Sequence, residues 1–200
     1  MPFHVSPVTN EIEALAAFLA QQQDAFRSLA HGLSEQQAGL APTAGALSIG
    51  GLVKHLTQVQ ESWLAAAVAA PEPRESASRP TGDRAADHHS GFVFEATDTI
   101  AELFSAYDAV SARVVEAVGS LDLDTPVPVP PAPWFPKDVE AWSVRWVWFH
   151  LLEEIARHAG HGDIIRESID GATMYELVAG RENLPATPWL TPWRPSQTVE

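Results

Sequence analysis

The chain has 200 residues, 46% of them apolar, and carries 26 acidic against 12 basic side chains for a net charge of −14. Only two of the basic residues are lysines, Lys54 and Lys137, and the arginines are dispersed; that distribution argues against a nucleic-acid partner, which is bound by clustered positive charge. Cysteine is absent, so there is no disulfide framework, no thiolate metal site and no cysteine nucleophile, and any thiol in the chemistry has to come from outside the chain.

Met1–Asn10 has no basic region followed by an apolar run, so no secretory signal is expected. The longest apolar stretch, Trp63–Ala70, is far short of the ~20 residues that span a bilayer. A cytoplasmic protein with no membrane partner is the expectation.

Four segments carry helical periodicity. The first runs from about Val8 to His31, with Ile12, Leu15, Phe18, Leu19, Phe26 and Leu29 on its stripe and Gly32 as its stop. Ser34–Ala38 reads as a short helical turn. The second opens on Ser48, a good N-cap residue, and ends before Pro71. Its Gly50-Gly51 pair lowers helix propensity, which points to a neighbour that needs room there. The third runs from about Asp98 to Val118, with Gly119 as its expected stop. The fourth runs from Ser143 to Ile169 and closes at Asp170-Gly171. A fifth, shorter helix is predicted over Thr173–Ala179.

Two connections are long. Residues 71–97 are polar, with Gly91–Glu95 as the one short-strand candidate. Leu121–Ala141 holds six prolines and is expected to be extended. No other strand is predicted. The whole reads as an all-α helix bundle with long crossover loops, residues 1–180, followed by an irregular tail, 181–200, packed on the body or on a partner.

The chemistry is concentrated in the run HLLEEIARHAGHGD, residues 150–163. On a helix, His150, Glu154, His158 and His161 fall within an arc of about 80°. That arc also carries Val147 and Ile165, with Leu151 at its edge, so it should face the core. A carboxylate and imidazoles are costly there unless paired or metal-bound. In the second segment His55 shares a stripe with Leu52, Val59 and Ala66, flanked by Gln58 and Ser62. If the two helices pack face to face, His55, Glu154 and His158 converge. Two His and one carboxylate suit Zn²⁺ with an open fourth position, and equally Fe²⁺, Ni²⁺ or Mn²⁺. The alternatives are satisfied core histidines, or a buried ion pair of Glu154 with Arg157 or Arg145.

The stretches SIGGLVKHL (48–56) and EEIARHAGHGDIIRESIDG (153–171), in this helix order, resemble the DinB superfamily, most closely an actinobacterial branch of it. The resemblance covers most of residues 8–171. It implies a DinB-like four-helix bundle with one divalent metal on His55, Glu154 and His158. Many members have His at the position of Glu154; the glutamate form is similar to the mycothiol-dependent maleylpyruvate isomerase branch. Relatives that use bacillithiol or mycothiol imply a thiol S-transferase acting on a small-molecule thiol and an electrophile. His161 and His150 then become candidate catalytic residues, orienting a ligand or moving a proton.

Two other readings stand beside this one. A metal-activated water would make the protein a hydrolase, with His161 or Glu153 as base. A metal that only clips the second and fourth helices would make it a binding or dimerising module, and the apolar tail suggests a homodimer. Weaker features are Asp87-His88-His89, read as solvated loop. Trp142, Trp146, Trp148 and Phe149 are read as core or a substrate wall, as are Trp134 and Phe135. Arg145, Arg157 and Arg166 are read as helix-surface arginines.

Overall fold

A computed structural model describes residues 3–74, 91–132 and 134–195. Asp87-His88-His89 lies outside the described residues. The elements are α1 (Glu11–Leu29), α2 (Glu35–Ala38), α3 (Ile49–Ala69), α4 (Ile100–Ser120), β1 (Pro126–Pro128), β2 (Ala141–Ser143), α5 (Val144–Asp170) and α6 (Met174–Arg181). Each long helix opens on a side-chain cap. Asn10, Ser48, Thr99 and Ser143 accept from the backbone N–H of Glu13, Gly51, Glu102 and Trp146, each cap contributing about 1 kcal/mol. Helix α5 ends where Gly171 takes the left-handed conformation, φ 77°, which a residue with Cβ adopts only at a cost.

Helix α1 packs on α4 and α5, and α3 packs on the same two, so α1 and α3 occupy one diagonal of the bundle and α4 and α5 the other. Contacts fix the directions. Glu11 meets Arg145 at one end of α1 and Leu29 meets Arg166 at the other, so α1 and α5 are parallel. Lys54 meets Asp98 and Gln60 meets Ser111, so α3 and α4 are parallel too. This accounts for the long connections. A chain joining parallel neighbours must travel back along a helix of some 30 Å, and one joining diagonal helices must cross the bundle end. The core is made of the inward stripes, with Trp148, Tyr107, Phe26, Leu19, Leu52 and Ile155 among the fully buried side chains.

Three expectations need correcting. Helix α4 continues through Gly119 to Ser120, and its cap is the extended Leu121. The proline-rich connection contains a strand: β1 pairs antiparallel with β2, Val127 opposite Trp142. Alternating prolines disguised it, since Pro lacks a donor and is tolerated only at edges, but Val127 between them is buried. Residues 91–95 form turn and irregular chain instead of a strand, because the alternating Phe92 and Phe94 pack on α3 instead of on a partner strand.

Beyond α6 the chain turns back through a Thr187–Leu190 bridge. The Trp193 amide N–H donates to the Glu176 carbonyl, and the Trp193 ring lies under the Arg166 guanidinium at 4.8 Å. Among the described residues no helix is long and apolar enough to cross a membrane.

Candidate metal centre

Helices α3 and α5 face each other with His55 level with His158. His55, Glu154 and His158 each offer one ligand atom, and these atoms lie within 4.8 Å of one another. His55 and His158 are buried, and the Glu154 side chain is 29% exposed. The stripe that carries them is apolar as expected, with Val147, Leu151 and Ile165 buried. The His158 Nε2 to Glu154 Oε2 distance is 3.6 Å. That is too long for a hydrogen bond. It is close to the ~3.4 Å between two donors that share one tetrahedral ion at zinc-like bond lengths. The donor chemistry and spacing therefore fit a divalent ion.

The ion-pair alternatives are not formed. Arg157 pairs with Glu153, and Arg145 with Glu11 and Asp124. Glu154 faces imidazoles on both sides, with His150 Nε2 at 3.9 Å from Oε1. Arg166 corrects the surface reading: it is fully buried, paired with Asp170, and donates from Nη1 to the carbonyls of Leu29 and His31.

His161 approaches the centre from behind. Its Nδ1 lies 3.3 Å from Nδ1 of His158. If Nε2 of His158 is to offer its lone pair to an ion, Nδ1 carries the proton and donates it to His161. His150 sits further along α5. Its ring stacks on Trp146 at 4.9 Å and takes the edge of Trp63 at 4.8 Å. Trp142 stacks on Trp146 in turn, at 4.2 Å. Residues 142, 146, 150, 154 and 158 thus form one row at i, i+4 spacing, aromatic at one end and ligand-bearing at the other. Phe135 packs on Trp142, while Phe149 and Trp134 are exposed and Trp148 is buried in the core. Ser62, on the α3 face beside the His55 stripe, accepts from Arg74.

Phe92 escaped the reading of the sequence. Its ring stacks on His55, centroids 3.8 Å apart and planes 19° apart, and lies 5.8 Å from His158. The Gly50-Gly51 pair was the available signal. A Cβ on Gly51 would sit 2.1 Å from the Phe92 carbonyl oxygen, and one on Gly50 would sit 2.3 Å from the Phe94 ring. The neighbour that needed room is this segment.

A four-helix bundle with crossover connections and a His₂Glu cluster between its second and last long helices defines a DinB-like protein. The family model for mycothiol S-transferases matches residues 14–171, and the chain belongs to that family. A solved structure described as a conserved protein of locus from Enterococcus faecalis is similar over 82% of this chain and 100% of its own, with 14% identity and a TM-score of 0.59, which supports the fold. No curated protein matches the sequence.

Proposed function

We propose that this protein is a metal-dependent S-transferase that joins a low-molecular-weight thiol of the mycothiol type to an electrophile. The observation that carries the reading is the convergence of His55, Glu154 and His158 in a member of the mycothiol S-transferase family. These three side chains would hold a divalent ion, Zn²⁺ by first choice, with a position left open. A divalent ion so held supplies the positive charge that keeps a coordinating thiol deprotonated.

The remaining work falls to the chain. His161 accepts from Nδ1 of His158 and so keeps Nε2 facing the ion. His150, wedged between Trp146 and Trp63 beside Glu154, takes the thiol proton. A carbon–sulfur bond then forms to the electrophile. In an addition, the proton is returned to the adjacent carbon; in a substitution, it stays on His150 while the leaving group departs with the bond pair. No cysteine competes as nucleophile. The reading places residues 1–180 as the metal-binding body and 181–200 as a tail packed on it. It places the protein in the reducing cytoplasm, as a homodimer that uses exposed apolar surface such as Trp189.

The test is thiol conjugation by zinc-loaded protein with an unsaturated or halogenated model electrophile. His158→Ala is expected to fall to the uncatalysed rate. Equal rates for wild type and His158→Ala would overturn the proposal. Turnover of an ester without thiol would favour hydrolysis instead.

A further inference from the structure

We infer that Phe92 is a positioning residue for the metal centre: its ring holds the His55 imidazole in the plane from which it ligates. The inference rests on the reading of His55, Glu154 and His158 as a metal-binding set.

A histidine ring rotates about a broad, roughly two-fold torsion, so backbone placement on α3 does not by itself fix the plane in which the ring meets Glu154 and His158. In this protein a flat surface does. Phe92 covers one face of the ring at 3.8 Å and 19°, and the His158 ring meets it nearly edge-on, at 4.9 Å and 70°. The ring that does this is itself anchored. Phe94, two residues on, fills the notch left by Gly39 and Gly50, and the Phe92 carbonyl rests where a Cβ of Gly51 would stand. Lys54 Nζ donates to the Val93 carbonyl at 3.2 Å and pairs with Asp98 at 2.8 Å, and the Asp98 carboxylate accepts from the Glu95 N–H at 2.9 Å. The Ile100 N–H donates to Glu35. Segment 91–98 is thus strapped across the start of α3, one turn before His55. A ligand held in its binding geometry loses less freedom on capture, and the gain appears as affinity.

The experiment compares wild type, Phe92→Leu, Phe92→Tyr and Lys54→Met. Leucine keeps apolar bulk without a flat face, tyrosine keeps the face, and Lys54→Met loosens the strap from outside the core. Zn²⁺ affinity is read by chelator competition, the ligand field by the visible spectrum of the Co²⁺ form, and the fold by melting of the metal-free protein. Phe92→Leu is expected to weaken Zn²⁺ binding on the order of 10-fold, the range seen for groups that orient metal ligands, and to alter the Co²⁺ bands. Phe92→Tyr should match wild type, and Lys54→Met should shift affinity in the direction of Phe92→Leu. Wild-type affinity and spectrum in Phe92→Leu would overturn the inference, as would a lower metal-free melting temperature with metal binding unchanged. If Phe92→Leu does not fold, unchanged affinity in Lys54→Met overturns it. A wild type that binds no metal overturns both this inference and the metal reading. Phe92-dependent binding in a protein that conjugates no thiol supports the positioning role and defeats the transferase alone.

Discussion

Glu154 is the residue whose chemistry decides the most. It stands on an apolar stripe, between two imidazoles, while Arg157 and Arg145, the two arginines that could have neutralised it from its own helix, pair elsewhere. A carboxylate so placed, partly withdrawn from water, favours a cation beside it. Glu154→Ala removes one of the three proposed donors and should weaken Zn²⁺ binding by more than ~100-fold, beyond the 10–100-fold range for groups that only orient ligands. Glu154→His puts a third imidazole where the carboxylate stood, restores a donor for a divalent ion, and should recover most of the affinity. Chelator competition on both variants checks this; an alanine variant that binds like wild type would remove Glu154 from the ligand set. The four residues of α5 were legible in the sequence because helix periodicity converts spacing into a shared face. Convergence with His55 was legible only conditionally, since no periodicity says which two helices will pack together.

At the scale of elements, the Gly50-Gly51 pair shows why some local rules are broken. Two glycines in the first turn of a helix cost propensity, and the close approach of segment 91–98 is what that sacrifice permits. Gly51→Ala improves intrinsic helix propensity, yet its Cβ would overlap the Phe92 carbonyl. Backbone cannot give way as a flexible side-chain end does, so the substitution should destabilise by about 1–3 kcal/mol, the usual cost of overpacking. Denaturant unfolding measures this, and an unchanged or raised stability would show that the strap yields freely. The pair signalled a close neighbour but not which one, because 40 residues separate Gly51 from Gly91. The reverse holds for β1. Its three residues are too few for alternation to register, and the partner strand that defines it lies beyond a 12-residue loop. The long helices, by contrast, were placed within a few residues, because each begins on Asn, Ser or Thr and carries its own stripe.

Across the whole molecule, Arg166 ties three parts of the chain together. Fully buried, it is neutralised by Asp170, satisfies carbonyls at the end of α1, and lies over Trp193 of the tail. Breaking such a pair by removing one partner is costly. His31 shares this place. Its ring packs against Trp193 at 5.3 Å. Burial first, then the guanidinium groups of Arg166, Arg181 and Arg194, holds its pKa below the ordinary histidine value. The nearby carboxylates, Asp170 and Asp24, are engaged by Arg166 and Arg181. Protonation of His31 is therefore harder in the folded protein than in the unfolded chain, where the pKa is about 6.5. Its contribution to stability is present in full above that value. It declines as pH falls below about 6.5 and levels off once pH is below the lower folded-state value, because both states then bind the proton. His31→Asn keeps the backbone carbonyl that Arg166 uses and removes the titrating ring. Melting temperatures of the two proteins should diverge from pH 7 to pH 5, with the wild type losing more. Parallel curves over that range would show that His31 titrates alike in both states and that the arginine cluster does not reach it.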